Sequence, residues 1–163
     1  KNTIVIMTSN IGSDIIQRNF EGIHLEQLEE AAETTKVEVM QRLKQTVRPE
    51  FLNRIDDVLM FHPLLLPQIR NIVKLQLEKV TALATKNGLQ IKFTEDAIDW
   101  IANKGYEPQF GARPIKRVIQ KYVVNELSMR VLKGDVNTEG MVLIDAFEGG
   151  NLVFRNVENE VFA

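Results

Sequence analysis

Two continuous apolar runs, neither of them alternating with polar residues, stand near the beginning and the end of the first 62 residues. Residues 2–10 are mostly β-branched and apolar, with polar residues only at the ends, and residues 57–61 show a similar but shorter run. Such runs are typical of strands buried on both faces of a parallel sheet. The pattern predicts two strands of a larger α/β domain, and a chain that opens inside a buried strand is expected to be a fragment.

Helical spacing dominates between these two runs. Ser13 and Asp14 precede a short apolar group and predict a capped helix that starts there. A second short helix is predicted over about residues 25–33. A third helix is predicted from the stripe formed by Val39, Met40, Leu43 and Val47. It must end before Pro49, because proline disfavours a helical conformation in the residue before it.

The second half of the chain predicts a small α+β domain that starts at the His62-Pro63 boundary. Its predicted elements are a helix over about residues 67–87 stopped by Gly88, a strand over 89–93, a helix capped by Thr94, a helix begun by Pro114 and ended by Gly134, and a hairpin of 141–147 and 151–157 that turns at 148–150. The predicted fold class is therefore α/β for residues 1–62, followed by an α+β domain with helices and a three-stranded sheet for residues 63–163.

Composition narrows the chemistry that these side chains can perform. The 163 residues include no cysteine, which excludes disulfides, thiolate zinc sites and cysteine nucleophiles. The two histidines, His24 and His62, are far apart, so no metal site is expected. No stretch is apolar enough to predict a membrane span, and no signal-peptide pattern opens the sequence. A cytoplasmic protein without a membrane partner is predicted.

Charge is distributed unevenly around a net value of −2. From residue 19 to residue 35 there are five glutamates and no lysine or arginine, a pattern typical of a solvated face. Basic residues cluster locally at Arg113, Lys116, Arg117 and Lys121. Because the net charge is negative, nucleic acid is not predicted as a partner.

The segment of residues 48–56 carries two arginines around a turn begun by Pro49. Proline suits the first position of a short helix, and Phe51, Leu52 and Ile55 then fall on one side of it. Arg54 is predicted to point away from that packed side. A rigidly held, exposed guanidinium suits recognition of a phosphoryl group that develops negative charge. The alternative is that Arg48 and Arg54 pair on the surface with Glu50, Asp56 or Asp57.

Two further residues are candidates for phosphate chemistry. Arg113 stands just ahead of the helix begun by Pro114, so its side chain and the free N–H groups of that helix are placed to face one anion together. Asn10 follows the first predicted strand, at the end where α/β sheets bind ligands. The alternatives are a solvated helix-entry arginine and an asparagine that turns the chain into Gly12.

These segments, taken in order, resemble the AAA+ ATPases of the Clp/Hsp100 type. Residues 5–14 and the ending in a small α+β domain are most similar to the second ATPase domain of ClpB-type protein disaggregases. The resemblance implies that Asn10 is the sensor-1 residue, that Arg54 is the arginine finger acting in trans, and that Arg113 is the sensor-2 residue contacting nucleotide in cis. Tyr106 and Phe110, beside the sensor-2 motif, are interpreted as packing residues.

The same resemblance implies the setting in which the parent protein works. It implies a homo-hexamer that uses ATP with Mg²⁺, yields ADP, threads unfolded or aggregated polypeptides through its ring and cooperates with a DnaK-type chaperone. No Gly-x-x-x-x-Gly-Lys-Ser/Thr loop occurs in the sequence, and no strand ends in paired acidic residues. The chain alone is therefore predicted to be inactive and to hold no nucleotide tightly. The alternatives are a protease-associated unfoldase of the ClpA or ClpC kind, or a non-catalytic oligomerisation or interaction domain.

Overall fold

The computed structural model describes residues 3–107, 111–147 and 150–157. It divides into two units, residues 1–63 and residues 64–163. None of the helices in these described ranges is both long enough and apolar enough to cross a membrane.

The first unit is helical. It contains α1 (Ser13–Asn19), a 3₁₀ turn (Leu25–Gln27), α2 (Leu28–Thr46) and α3 (Pro49–Leu52). The second and third predicted helices form one continuous helix, α2, because no glycine or proline interrupts residues 28–46. The predicted cap was also wrong, since Ser13 lies inside α1 and Gly12 takes the N-cap position without a side-chain hydrogen bond.

Helices α1 and α2 pack through a close backbone approach. Gly12 has a φ of 80° and is buried, and a Cβ at this position would lie 3.0 Å from Cγ2 of Val39. The side-chain amide of Asn19 donates hydrogen bonds to Oγ1 of Thr35 at 3.2 Å and to Oε1 of Glu38 at 3.1 Å. Because Thr35 is fully buried, this bond satisfies a hydroxyl that would otherwise cost free energy inside the unit.

The two strands predicted in the first unit are not formed. Residues 3–10 and 57–61 have no strand structure, and Ile4 and Phe61 are 90% and 86% exposed. The apolar runs express a preference for extended backbone, but a strand also needs hydrogen-bonding neighbours. Within the described part of the first unit, neither run pairs with the other or with a third segment.

The second unit has the predicted composition of helices and a three-stranded sheet. Its elements are α4 (Leu66–Lys86), β1 (Gln90–Phe93), α5 (Glu95–Gly105), α6 (Arg113–Ile119), a π-helix (Gln120–Val124), α7 (Asn125–Lys133), β2 (Met141–Ala146) and β3 (Leu152–Val157). The sheet order is β1-β2-β3, with β1 parallel and β3 antiparallel to β2. The predicted hairpin is confirmed, although its turn residues 148 and 149 lie outside the described residues.

The core of this unit lies between the sheet and the helices. Its fully buried larger side chains come from α4, α5, α6, the π-helix and β2: Ile69, Val73, Ile101, Ile115, Val123, Val142 and Ile144. The apolar positions of α5 follow helical spacing, so one face is buried and the other is left to solvent. Trp100 lies at the edge of this core and is half-buried.

A polar network ties the start of α5 to the sheet. Thr94 caps the helix as predicted, since its hydroxyl accepts a hydrogen bond from the N–H of Ala97 at 3.1 Å. The same hydroxyl donates to Oδ1 of Asp145 at 2.7 Å, and Arg155 donates to Oδ2 at 3.0 Å. Asp145 is buried, and these hydrogen bonds offset the free-energy cost of burying its carboxylate within β2.

Gly105 makes the closest contact between α5 and α6, which leads to a stability prediction. A Cβ at this position would lie 2.5 Å from Cδ1 of Ile115 and 3.2 Å from its Cα. We expect Gly105→Ala to lower the free energy of unfolding by about 1–3 kcal/mol, as overpacked cores do. Urea denaturation followed by circular dichroism measures the effect.

Two variants sharpen this test. Gly140→Ala is the control, because its Cβ would be 3.5 Å from the nearest atom and should change stability little. Adding Ile115→Val to Gly105→Ala removes Cδ1 and should recover part of the loss. Equal urea midpoints for Gly105→Ala and Gly140→Ala would show that α5 and α6 do not approach each other this closely.

Candidate functional site

Arg54 follows a tight helical turn. Pro49 is in the first turn of α3, as predicted, and Arg48 takes the N-cap position with extended backbone. After α3 the N–H of Asn53 donates to the carbonyl of Pro49 at 3.0 Å, and the N–H of Arg54 donates to that of Phe51 at 3.1 Å. These bonds fix the backbone at the position from which the guanidinium projects.

The Arg54 side chain is exposed. The alternative reading of this segment required ion pairs from Arg48 or Arg54 to neighbouring carboxylates. The ion pairs found within the described ranges include neither arginine. The geometry therefore leaves the guanidinium donors of Arg54 available to an anion.

Asn10 stands at the end of the extended segment of residues 3–10 and is exposed. Its carbonyl accepts a hydrogen bond from the N–H of Ser13 at 3.2 Å, and the hydroxyl of Ser9 accepts one from the N–H of Ile11 at 3.1 Å. These bonds turn the chain into α1 through Gly12. Asn10 is thus held by a turn, and the strand predicted to carry it is absent.

Arg113 is the first residue of α6, one position inside the helix rather than ahead of it. Its side chain is exposed, and the ion pairs seen in the described part of the chain do not involve it. The preceding Gly111 has a φ of 59°, and its N–H donates to the carbonyl of Glu107 at 2.9 Å. Tyr106 packs against the core as predicted, whereas Phe110 falls outside the described residues.

A cluster of aromatic and basic side chains near α6 was missed in the sequence. Nζ of Lys121 lies 5.0 Å and Nζ of Lys104 lies 5.8 Å from the ring centroid of Tyr122. The Tyr122 ring meets Trp100 edge-on at 5.3 Å, and the Trp100 indole N–H donates to the carbonyl of Gly150 at 2.7 Å. Lys104 and Lys121 are 17 positions apart, so local spacing carries no signal for their proximity.

The three candidate residues are divided between the two units. Asn10 and Arg54 belong to the first unit, where no hydrogen bond among the described residues joins them, and Arg113 belongs to the second. A groove of about 470 Å³ opens beside α4, β1 and α5, and none of the three lines it. Across the described ranges, no group of three or more acidic or histidine side chains is placed to hold a metal ion.

Comparison with protein-family models identifies the family to which the two units belong. A model described as the C-terminal, D2-small domain of ClpB protein matches residues 64–144. A model described as an AAA domain of the Cdc48 subfamily matches residues 1–58. The chain belongs to the ClpB family. Its two units match the carboxy-terminal part of the second ATPase domain of ClpB, in the order that the sequence predicts.

Curated relatives agree with this assignment. Chaperone protein ClpB of Bacteroides thetaiotaomicron is 47% identical over 96% of this chain and 18% of its own length. ClpB of Rhodopirellula baltica is 46% identical over 94% of this chain and 17% of its own length. Chloroplastic ClpB3 of Arabidopsis thaliana is 40% identical over 98% of this chain and 17% of its own length. The chain therefore spans less than a fifth of these ClpB proteins.

Solved structures of a yeast protein share the fold. The complex of S. cerevisiae Hsp104 with casein in an extended conformation is 34% identical, with a TM-score of 0.68 over 95% of this chain and 26% of that chain. The S. cerevisiae Hsp104–ADP complex is also 34% identical, with a TM-score of 0.67 over 88% of this chain and 24% of that chain. The ClpB-family fold predicted from the sequence is confirmed.

Proposed function

We propose that this chain is part of an ATP-driven protein disaggregase, in which a hexameric ring threads unfolded or aggregated polypeptides through its centre. The observation that carries the proposal is the 47% identity to a ClpB chaperone over 96% of the chain. The alignment covers 96% of the chain, so it extends into both units and includes the segments that hold Asn10, Arg54 and Arg113.

Arg54 is proposed as the arginine finger. Its exposed side chain, its hydrogen-bonded turn and its lack of an ion-pair partner within the described ranges support this role. A guanidinium that reaches the nucleotide of a neighbouring subunit stabilises the negative charge that develops as water attacks the γ-phosphate. Arg54 of each subunit then completes the catalytic site of the next one.

Arg113 and Asn10 are proposed to act within their own subunit. Arg113 contacts the nucleotide in cis, and the planar fork of its guanidinium suits phosphate oxygens. Asn10 has a side-chain amide that both donates and accepts hydrogen bonds, and it is proposed to orient the attacking water. Both side chains are exposed, which supports contact with a ligand.

The residues described here fit only part of an ATP site. Arg54 and Arg113 suit phosphate oxygens, but the sequence lacks a phosphate-binding loop, and the described ranges hold no acidic cluster suited to Mg²⁺. Binding of the triphosphate and of Mg²⁺ is therefore assigned to other segments of the parent protein. Bound ATP supplies the phosphoryl group. Asn10 and Arg113 are proposed to face the nucleotide of their own subunit, and Arg54 that of the neighbouring subunit.

The proposed partners follow from the family. They are other copies of the same subunit, unfolded or aggregated polypeptides, and a DnaK-type chaperone that cooperates with the assembly. Neither nucleic acid nor a membrane is expected. The yeast Hsp104 structure with casein supports the polypeptide substrate. A cytoplasmic location is proposed for the parent, although Arabidopsis relatives are named chloroplastic and mitochondrial.

Two measurements test the proposal, one on the chain alone and one on the full-length protein, and opposite results are expected. The chain alone should show no ATP turnover and at most weak ATP binding, because it lacks the phosphate-binding loop. The full-length protein should hydrolyse ATP and reactivate a heat-aggregated reporter enzyme when a DnaK-type system is added. Calorimetry that shows micromolar ATP binding to the chain would contradict the first statement, and a full-length protein without turnover would contradict the second.

A further inference from the structure

One asparagine is followed directly by a glycine, at the junction between α4 and β1. Asn87-Gly88 is the only Asn-Gly pair in the sequence. Asn87 is the C-cap of α4, and both residues are exposed. Gly88 has a φ of 80°, and within the described ranges a Cβ built on it would meet no atom within 4 Å. The backbone around the Gly88 nitrogen is therefore open to solvent.

An asparagine side chain loses its amide when the next backbone nitrogen attacks it. The nitrogen of Gly88 forms a bond to Cγ of Asn87, the Cγ–Nδ2 bond breaks, and the proton of the Gly88 N–H leaves with Nδ2 as ammonia. Water then opens the cyclic imide, adding OH to a carbonyl carbon and H to the nitrogen, which yields aspartate or isoaspartate without any redox change. Glycine favours the attack because it has no side chain to crowd the nitrogen and restricts the backbone least.

The folded backbone keeps the two reacting groups apart. The ψ of 14° at Asn87 turns the Gly88 nitrogen toward the amide nitrogen of Asn87 and away from its side chain. The Gly88 N–H donates to the carbonyl of Thr85 at 3.0 Å, and Nδ2 of Asn87 donates to the carbonyl of Leu83 at 2.8 Å. Both hydrogen bonds must break before the nitrogen reaches Cγ. Because helix ends open more readily than helix centres, local opening is sufficient.

We propose that Asn87 is a site of spontaneous deamidation, and that opening of the last turn of α4 sets its rate. Water is the only reactant besides the chain itself, so the modification requires neither an enzyme nor a cofactor. The reaction is also independent of nucleotide and of assembly, so it stands apart from the proposed ATPase role.

Deamidation changes the junction between α4 and β1 in two ways. The new carboxylate lies at the negative end of the helix dipole and faces the Leu83 carbonyl, which accepts a hydrogen bond from Nδ2 of Asn87 before the reaction. Isoaspartate also lengthens the backbone just before Leu89, a buried residue whose N–H donates to the carbonyl of Ala84 at 3.0 Å. Both changes weaken the connection of α4 to the sheet.

Mass spectrometry of the folded chain, incubated at mildly alkaline pH, tests the proposal. Peptides that contain Asn87 should gain the mass difference between OH and NH₂, and a protease that cleaves before aspartate but not before isoaspartate separates the two products. Asn103 is the internal control, because it is exposed near the end of α5 and is followed by Lys104. Asn87 should convert several-fold faster than Asn103 in the same sample.

Unfolding in guanidinium chloride tests whether the helix end controls the rate. Since unfolding removes both hydrogen bonds, Asn87 should convert about tenfold faster, or more, than in the folded chain. Gly88→Ala should slow the conversion several-fold in the unfolded chain, where only the chemistry of the pair matters. Equal folded-chain rates for Asn87 and Asn103, or equal unfolded-chain rates with and without Gly88→Ala, would overturn the deamidation site. Equal rates for Asn87 in the folded and unfolded chain would overturn the control by α4.

Asn87→Asp reproduces one product and tests its consequence. It should raise the unfolding equilibrium constant about two- to fivefold, the effect of a like charge at a helix end, as measured by urea titration followed by circular dichroism. Asn151→Asp is the matched control, because it adds the same charge at an exposed position in the loop before β3. Equal constants for the two variants would show that deamidation does not weaken the junction between α4 and β1.

Discussion

Arg54→Ala in the full-length protein is expected to lower ATP turnover by about 10³-fold or more, in line with the contribution of arginine fingers elsewhere. The reason is electrostatic: in the proposed role of Arg54, the substitution removes a fixed positive charge from the place where negative charge develops in the transition state. ATP turnover of the purified assembly measures the effect, with the first ATPase domain disabled in every variant so that only the second contributes. Arg48→Ala is the matched control, since Arg48 is also exposed, lies on the same turn and has no assigned role.

Mixed assemblies then separate action in trans from action in cis. An Arg54→Ala subunit keeps its own phosphate-binding loop, and a subunit whose loop lysine is changed to alanine keeps its arginine. With the first ATPase domain disabled in both proteins, each alone should be inactive. The mixture should regain turnover, because in the proposed trans role the second subunit supplies Arg54 to the site of the first. Arg113→Ala mixed with the same loop variant should regain nothing, since Arg113 is proposed to act on the nucleotide of its own subunit.

The outcome of this mixing experiment assigns each arginine. Identical curves for the Arg54 and Arg113 variants would refute the trans role of Arg54. Near-wild-type turnover of Arg54→Ala would indicate that Arg54 is an ordinary surface arginine without a catalytic role. Arg54→Lys should recover only part of the rate, because the ammonium keeps the charge without the bidentate fork.

Ile101→Ala is expected to cost the second unit about 2–5 kcal/mol of unfolding free energy, the range measured for buried Ile→Ala changes. Ile101 is 0% exposed, on the face of α5 that packs into the core of this unit. The loss combines burial of fewer apolar atoms with the cavity left behind. Urea unfolding followed by circular dichroism at 222 nm measures it.

Leu132→Ala is the control for this substitution. Leu132 is 87% exposed on α7, and its truncation should change the unfolding free energy by about 0.5 kcal/mol or less. If Ile101→Ala and Leu132→Ala unfolded at the same urea concentration, the assignment of the core to this face of α5 would be wrong.

The second unit was predictable because its local and long-range signals agree. Thr94 caps α5 and Gly134, with a φ of 76°, ends α7, so helix boundaries could be read from single residues. β1 and the first half of β3 alternate between exposed and buried positions, and all three strands contribute side chains to the core of this unit. The parallel pairing of β1 with β2 and the π-helix were not predicted, since neither leaves a mark in local spacing.

The first unit shows the opposite case. The apolar runs of residues 2–10 and 57–61 predicted strands, but such runs indicate a backbone preference and carry no information on whether a neighbouring strand exists. The candidate site was named from motifs, and the structure adds exposure and local hydrogen bonds to Asn10, Arg54 and Arg113. Their catalytic roles stay predictions, because each role is defined by a ligand or by another subunit.

Trp100 gives the second unit a fluorescence signal of its own, and its hydrogen bond to the carbonyl of Gly150 links that signal to the chain just before β3. Trp100 is the only tryptophan among the 163 residues, so intrinsic indole emission comes from one position. Trp100 lies on α5 and contacts the Tyr122 ring and Gly150, which is two residues before β3. A shift in tryptophan emission during unfolding therefore follows the separation of α5 from the sheet in residues 64–163. Unfolding of residues 1–63, which contain no tryptophan, has no indole signal of its own.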